Sequence, residues 1–177
     1  MIKIRQGVFE TNSSSSHSIV IKKGGGETPD MIDPGWHVHD NGTLYIYETN
    51  LGFGRSPFDV LCDWYHKLCY AIASYGADGF EEIEELVYAH VAGVKKIELP
   101  TTFAWDDDDK KAPFYGYVDH QSMDLLTSFL RNNDVTLEDF IFNDKYVVII
   151  DGDEYCVFER LDRCGLLDES KIESRWG

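Results

Sequence analysis

The chain has few basic residues, few cysteines and no long apolar run, and each shortage excludes a class of protein. With 16 Lys and Arg against 32 Asp and Glu, the formal net charge is −16. That charge opposes non-specific binding to nucleic acid, because such affinity comes largely from cationic contacts to phosphates. The apolar runs are too short for a membrane helix or a signal peptide. The four cysteines lack the spacing of a metal site or a disulfide framework. These features predict a cytoplasmic protein with no membrane partner.

The composition fits one folded domain. The 177 residues are 43% hydrophobic and 14% aromatic, which is enough for a core and too apolar for a disordered chain. Hairpin signals are mixed with helical periodicity along the sequence. We therefore expect a single α+β domain over residues 1–177, with a mainly antiparallel sheet packed against about three to four helices.

Strand signals dominate the first fifty residues. Residues 18–22 form an apolar run that predicts a strand. Residues 36–40 and 43–48 are predicted to be the arms of a hairpin, because Asn41-Gly42 between them is a favoured two-residue turn. In the second arm, Leu and Ile alternate with two tyrosines, which predicts one buried face.

Two helices are predicted to follow. The first spans 56–76, because Ser56 is a good N-cap and Pro57 suits the first helical position. This helix would stack Cys62 and Cys69 on one face as small apolar residues. The second spans 79–92, where apolar residues recur at helical spacing and glutamates occupy the first turn.

The remainder is predicted to contain one long irregular stretch, two further helices and two strands. Residues 101–117 include an acidic run and are expected to be irregular. A helix is predicted over 122–130, and Thr136 begins a short helix with a carboxylate three residues later. The apolar run 146–150 predicts a buried strand, which a turn connects to a strand over 155–158.

A serine-rich run holds the first candidate site. Residues 11–18 read Thr-Asn-Ser-Ser-Ser-Ser-His-Ser, and hydroxyl and amide side chains favour turns and caps over helix. An ordered loop of this kind can hold a phosphate, and Arg5 on a neighbouring strand would complete a clamp. His17 would then act as a general acid or base on a phosphodiester. The alternative is a structural turn whose hydroxyls cap backbone groups.

Three other groups of residues have a chemical and a structural interpretation. His37 and His39 would share a strand face and chelate a metal with Asp33 or Asp40. Solvated strands also carry such pairs without a metal, and we predict no metal site. The run Asp119-His120-Gln121-Ser122 would provide a tuned base or merely a helix cap. The carboxylates of 151–154 would bind Mg²⁺ or form an ordinary turn. The sequence does not identify a cofactor, so the cofactor is unknown.

The segment Ile4-Arg5-Gln6-Gly7-Val8-Phe9-Glu10-Thr11-Asn12-Ser13-Ser14-Ser15-Ser16-His17-Ser18 resembles an element that opens many small phage and prophage proteins. Some of those proteins resemble inhibitors of type II CRISPR systems. The size and pattern of this chain are similar to the inhibitor group associated with guide-RNA truncation. The resemblance covers roughly residues 1–20 and, more loosely, 119–122 and 147–153. It implies a phage anti-CRISPR protein in the cytoplasm of an infected bacterium, with a type II CRISPR effector nuclease and its guide RNA as partners.

Three functions remain open at this point. In the first, the chain is a ribonuclease that promotes guide-RNA cleavage through His17, Arg5, Ser14 and Ser15. The RNA phosphates would be bound by Lys3, Asn12, Ser13, Ser16, Lys22 and Lys23. In the second, the chain is a non-catalytic acidic mimic of nucleic acid that occupies a basic channel of a defence nuclease. In the third, it is a phage accessory protein with another binding role. The basic residues close to the serine run favour the first function.

Overall fold

Short strands and α-helices are mixed along the chain, and the α+β class is confirmed. The computed structural model describes residues 17–54, 58–100, 103–105, 111–113, 116–119, 122–150 and 157–166. Its strands are β1 (His17–Ile21), β2 (Thr43–Tyr45), β3 (Gly52–Phe53), β4 (Asp59–Leu61), β5 (Lys96–Glu98), β6 (Phe103–Trp105), β7 (Lys111–Pro113), β8 (Tyr117–Val118) and β9 (Tyr146–Ile150). Its α-helices are α1 (Trp64–Tyr75), α2 (Phe80–His90), α3 (Leu125–Asn133), α4 (Leu137–Phe142) and α5 (Val157–Arg163).

Strand β9 is the centre of the largest sheet, whose order is β1-β9-β4. Both neighbours run antiparallel to it, and Ile150 lies opposite His17 on one side and Asp59 on the other. The remaining strands form three separate pairs. The pairs β2–β5 and β3–β8 are parallel, and β6–β7 is antiparallel. The predicted antiparallel sheet is therefore present, with two parallel pairs that the sequence did not indicate.

The side chains of β9 enter two apolar clusters. Tyr146, Val148 and Ile150 belong to the main core, which also takes in buried residues of α1 to α4. Val147 points the other way and belongs to a smaller cluster with Phe58, Val60 and Cys164. A strand buried on both faces should read as a continuous apolar run, as this one does. The predicted strand over 146–150 is confirmed.

The first helix begins later than predicted. Residues of the expected first two turns form β4, which pairs with the free edge of β9, and α1 starts only after Asp63. The Asp63 side chain accepts a hydrogen bond from the His66 backbone N–H and is the N-cap. The helix ends at the predicted place, because Gly76 takes a φ of 63°. The predicted caps Ser56 and Pro57 lie outside the described residues.

The later elements confirm most of the pattern. Helix α2 agrees with the prediction, and α3 begins about one turn later than expected. Thr136 is the N-cap of α4 as predicted, because its hydroxyl accepts from the Asp139 backbone N–H. The predicted strand over 155–158 is wrong, since Val157 begins α5. The stretch 101–117 is less irregular than expected, because β6 and β7 pair across the acidic run 106–110, which lies outside the described residues.

The predicted hairpin is only partly present. Gly42 takes a φ of 82°, and the His39 N–H donates to the Thr43 carbonyl at 3.0 Å across the tight turn. The first arm contains a 3₁₀ turn (Gly35–His37) in place of a strand, and only Val38 bridges back to Leu44. The alternation in the second arm is confirmed. Leu44 and Ile46 are buried, while the two tyrosines face outward.

The cysteine prediction is corrected. Cys62 and Cys164 form a disulfide across a sequence separation of 102. Cys62 lies just before α1, which begins at Trp64, and so is not on the inner face of that helix. Cys69 lies within α1 and is a buried free thiol. Helical spacing is what suggested the Cys62–Cys69 pair, and that spacing does not apply because Cys62 lies between β4 and α1.

A lysine is buried in α1. Lys67 is 1% exposed, and its ammonium group donates to the main-chain carbonyl of Asn143, the residue that follows α4. The same carbonyl also accepts from the Tyr146 N–H at 3.4 Å. Burial lowers the pKa of Lys67 to about 7, although the nearby carboxylates of Asp144 and Asp63 oppose that change.

The buried apolar residues lie mostly in one cluster that several elements share. That a single domain spans residues 1–177 stays a prediction. In the part of the chain that the structure describes, no helix is both long and apolar enough to cross a membrane.

Candidate functional site

His17 is the one predicted catalytic residue that lies within the described residues, and it is buried. It is 6% exposed at the start of β1. Its Nδ1 is 3.2 Å from the Tyr70 hydroxyl, and its Nε2 is 3.3 Å from the Gly54 carbonyl oxygen. A carbonyl can only accept, so Nε2 carries the proton. Nδ1 therefore accepts from the Tyr70 hydroxyl. Both ring nitrogens are bonded within the protein.

The backbone around His17 joins two segments that are far apart in the sequence. The His17 N–H donates to the Ser122 hydroxyl at 3.3 Å. The Ser122 N–H donates to the Asp119 carbonyl at 2.7 Å, and the Asp119 N–H donates to the Phe53 carbonyl at 2.8 Å. The end of the serine run and the Asp119–Ser122 segment therefore meet in one buried polar cluster. We call His17, Gly54, Tyr70, Asp119 and Ser122 the His17 cluster.

One glycine allows this arrangement. Gly116 precedes β8 with a φ of 91°, and a Cβ there would lie 2.2 Å from the Leu51 carbonyl oxygen. Only glycine permits that approach, which lets β8 pair with β3. Because β3 leads to Gly54 and β8 leads to Asp119, this pairing positions two sides of the His17 cluster.

Burial keeps two members of the cluster, His17 and Tyr70, uncharged. Burial lowers the pKa of His17, while the Gly54 hydrogen bond and the Asp119 charge oppose that change. Burial also raises the pKa of Tyr70, so its hydroxyl stays protonated. At neutral pH the pair is thus a phenol that donates to an uncharged imidazole. A neutral imidazole can accept a proton on its unprotonated nitrogen. In His17 that nitrogen is Nδ1, whose lone pair already accepts the hydrogen bond from the Tyr70 hydroxyl.

The two lysines predicted to bind phosphate lie at the other end of β1. Lys22 lies five positions after His17 and Lys23 lies six, and five positions correspond to about 16 Å along a strand. Lys22 is held there by Asp144, with Nζ 3.4 Å from the carboxylate, and Lys23 is exposed. The structure therefore does not bring these two lysines together with His17.

The other predicted site residues precede β1. Arg5, Ser14 and Ser15 of the proposed catalytic set lie outside the described residues, and their roles stay predictions. The same is true of the proposed phosphate ligands Lys3, Asn12, Ser13 and Ser16. The chain enters β1 directly from Ser16, so the serine run is covalently adjacent to the His17 cluster.

The two histidines considered as metal ligands contact aromatic rings. His37 stacks on Tyr65 with ring centroids 3.9 Å apart, and His39 meets the Tyr45 ring edge-on at 4.7 Å. Within the described ranges, no group of three or more potential ligand side chains could hold a metal ion.

Two members of the His17 cluster are not indicated by the sequence. Tyr70 lies 53 residues from His17 along the chain, and Gly54 lies 37 residues away. No local pattern marks either residue, because each acts through tertiary contact. Asp119 and Ser122 are candidates in the sequence, but nothing there indicates that they are neighbours of His17.

Comparison of this chain with family models, with curated proteins and with solved structures finds no match. The function must therefore be inferred from the residues and their geometry.

The hydrogen bond between Tyr70 and His17 can be tested through stability. In Tyr70→Phe the ring remains but the His17 Nδ1 loses its donor, so we expect the free energy of unfolding to fall by about 1–2 kcal/mol. Urea denaturation measures the change. The matched control is Tyr88→Phe, which removes a hydroxyl bonded to Glu84 on the surface of α2; it should cost less than about 0.5 kcal/mol. Equal effects of the two changes would show that the buried hydrogen bond contributes nothing.

Proposed function

We propose that this chain is an acidic phage-type inhibitor of a type II RNA-guided nuclease. It acts by binding the basic surface on which the nuclease holds nucleic acid. The supporting observation is the charge: a formal net charge of −16 gives the protein a strong attraction to cationic surfaces. The resemblance of residues 4–18 to phage proteins supports the cytoplasm of an infected bacterium as the biological setting. In that compartment, the glutathione and thioredoxin systems would keep Cys62 and Cys164 as thiols, and the disulfide would form on oxidation.

Helix α2 contributes an exposed acidic face to this charge. Glu81, Glu82 and Glu85 are all exposed on it, and Asp78 lies just before its first turn. The apolar face of the helix is anchored by Ile83 and Val87, both completely buried. The carboxylates are therefore held on a fixed element and point away from the core. A group of negative charges carried on an anchored helix is what a basic nucleic-acid channel would recognise.

The state of His17 supports binding over catalysis. A general base must present its lone pair to the substrate at hydrogen-bond distance. In the His17 cluster, that lone pair accepts from Tyr70, and the other nitrogen donates to Gly54. A role in catalysis would require both internal contacts to open.

Guide-RNA cleavage is the second candidate. It is favoured by one observation: the serine run leads directly into His17, whose backbone N–H donates to the Ser122 hydroxyl and whose neutral imidazole lies within the field of Asp119. In this mechanism Arg5 and the serine hydroxyls would stabilise the extra negative charge of the phosphodiester transition state. Ser14 and Ser15 would belong to the same site.

One assay separates the two candidates. A type II nuclease loaded with guide RNA is incubated with the protein, and both DNA cleavage and guide-RNA length are measured. We expect DNA cleavage to be blocked while the guide RNA stays intact, and inhibition to weaken as salt rises. Neutralising Glu81, Glu82 and Glu85 to Gln should weaken inhibition about tenfold, since each exposed charge contributes a few tenths to about 1 kcal/mol.

The matched control changes the same three residues to Asp, which preserves the charge and should preserve inhibition. Shortened guide RNA that becomes full-length with Arg5→Ala would overturn the binding mechanism in favour of cleavage. Intact guide RNA together with full DNA cleavage would reject the inhibitor function altogether.

A further inference from the structure

Six aromatic and imidazole rings line a shallow pocket on the side of the molecule that carries the 3₁₀ turn. Its enclosed part has a volume of about 30 Å³, and beyond that the pocket is open to solvent. Three segments contribute to it: the 3₁₀ turn with the two residues after it, strand β2 with the residues after it, and the first turn of α1. The lining residues are Trp36, His37, His39, Tyr45, Tyr47 and Tyr65.

One wall of this aromatic pocket is a stack of three rings. The ring of His37 lies 3.9 Å from that of Trp36 on one side and 3.9 Å from that of Tyr65 on the other. Tyr65 is 2% exposed. Its hydroxyl donates to the Tyr45 carbonyl at 2.9 Å and accepts from the Asn50 side chain at 3.1 Å. The base of the stack is therefore fixed, and the wall is organised before any ligand arrives.

The rest of the lining consists of the rings of His39 and of two tyrosines on alternate residues. Tyr45 and Tyr47 lie nearly parallel, with centroids 6.4 Å apart, and His39 meets the edge of Tyr45 at 4.7 Å. Strand geometry places these two tyrosines on the same face, away from the buried Leu44 and Ile46.

Two of the rings are unusually exposed. Trp36 is 81% exposed and Tyr47 is 52% exposed. Tryptophan is highly buried on average, because its large apolar surface stabilises a core. An indole held in a fixed stack but open to water contributes little to folding. Its open face is available to a ligand.

The charge around the aromatic pocket selects the kind of ligand. Among the described residues that line it, none is a lysine or an arginine. Burial lowers the pKa of His37, which leaves its ring neutral at pH 7, and the Asp63 carboxylate is close enough to oppose that change. A phosphate would find no cationic partner here. The faces of aromatic rings carry negative potential and attract cations.

We propose that the aromatic pocket binds a cationic group with an apolar shell, of the trimethylammonium type, against the exposed rings of Trp36 and Tyr47. Rings satisfy such a group because it has no N–H to donate and its charge is spread over methyl groups. The enclosed part holds about two water molecules, so the head group would lie in the open mouth of the pocket, against the faces of the exposed rings. This proposal is independent of the proposed inhibitor function, because it involves neither the acidic face of α2 nor the His17 cluster.

A titration with choline and its neutral isostere tests the proposal. Choline chloride is added to the full-length protein, and binding is followed by tryptophan fluorescence and by calorimetry. The neutral isostere, 3,3-dimethylbutan-1-ol, has the same shape without the charge. We expect choline to bind with a Kd of about 0.1–1 mM and the isostere to bind at least about tenfold more weakly, as cation–π contacts predict.

Two substitutions locate the site. Trp36→Ala and Tyr47→Ala should each weaken choline binding about tenfold, because each removes one aromatic face. Both side chains are mostly exposed, so the fold should survive. The matched control is Met123→Ala, which removes a large side chain that is 60% exposed before α3; it should leave choline binding unchanged.

Two sources of the cation are distinguished by a further arm of the experiment. A peptide carrying trimethyl-lysine is compared with the unmethylated peptide and with free choline. Tighter binding of the methylated peptide than of choline identifies a protein side chain as the ligand, and equal binding identifies the free small molecule.

Several results would overturn the proposal. Equal affinity for choline and its isostere would make the pocket merely apolar. Tighter binding of adenosine monophosphate than of choline would make it a nucleobase-stacking surface. Binding unaffected by Trp36→Ala would place the cation elsewhere, and no binding of choline or of the methylated peptide would reject the site.

Discussion

Cys164→Ala is expected to lower the free energy of unfolding by about 4–5 kcal/mol. The Cys62–Cys164 disulfide closes a loop across a sequence separation of 102, and the chain-entropy model gives about 4.7 kcal/mol for a loop of about 100 residues. Cys164 also packs in the smaller cluster with Phe58, Val60 and Val147. Chemical denaturation with and without dithiothreitol measures the effect.

Reduction of the native protein should reproduce the effect of Cys164→Ala, and reduction of that variant should add nothing. The control is Cys69→Ala, which removes a buried thiol outside the disulfide; this variant should keep its response to dithiothreitol. Alkylation gives an independent measurement. In denaturant without reductant, the peptide containing Cys69 should be labelled, while those containing Cys62 and Cys164 should not. Labelling of all three would contradict the disulfide.

Lys67→Met is expected to stabilise the protein at pH 7 by about 2–4 kcal/mol. The folded protein has a Lys67 pKa of about 7, below the usual 10.5, chiefly because the group is buried. A tenfold change in an acid dissociation constant corresponds to about 1.4 kcal/mol of free energy. The substituted side chain has a similar shape and no charge to bury. The Asn143 carbonyl would still accept from the Tyr146 N–H.

The lowered pKa of Lys67 gives the native protein a characteristic dependence on pH. Between the folded and unfolded pKa values, the unfolded chain binds a proton at Lys67 that the folded chain does not, so stability rises with pH. We expect a gain of about 2 kcal/mol from pH 7 to 8.5. Above that range the buried Cys69 thiol, whose pKa is raised by burial, opposes the gain. Burial likewise raises the pKa values of Tyr65 and Tyr70.

Urea denaturation at several pH values tests this behaviour. Lys67→Met should abolish the rise between pH 7 and 8.5. Lys23→Met, at an exposed lysine after β1, should retain it. If stability still rises with pH in Lys67→Met, another group is responsible for the titration. If the stability of the native protein does not change between pH 7 and 8.5, the pKa of Lys67 is not lowered in the folded state.

The elements predicted well from the sequence are those whose signals are local. Helix α2 has its periodicity and its first-turn glutamates in one segment, the Thr136 cap is a contact between neighbours, and β9 is a continuous apolar run. The predicted start of α1 is wrong because the apolar residues before Asp63 suit a helix and an edge strand equally. Their pairing with β9, which is distant in the sequence, decides between the two.

In the candidate sites, too, the sequence identifies residues with a local signal but not contacts between residues that are distant in the chain. His17 is identifiable from its local context, but Tyr70 and Gly54 approach it only in the folded chain. Nothing in the sequence indicates that Lys67 is buried, since lysine on a helix is ordinarily solvated. The rings that line the aromatic pocket are visible in the sequence only as an alternation of tyrosines beside a pair of histidines. Their stacking depends on α1 lying against the 3₁₀ turn.

The order of strands in the main sheet has a consequence for the newly made chain. Strands β1 and β4 both pair with β9 and not with each other, so neither has a partner until residue 150 has left the ribosome. At a synthesis rate of about 5–20 residues per second, β4 waits roughly 4–18 seconds for its partner. During that time, two apolar strand edges are open to chaperones and to other nascent chains. The largest sheet therefore forms late in synthesis, and the acidity of the chain helps to keep its unfinished copies apart.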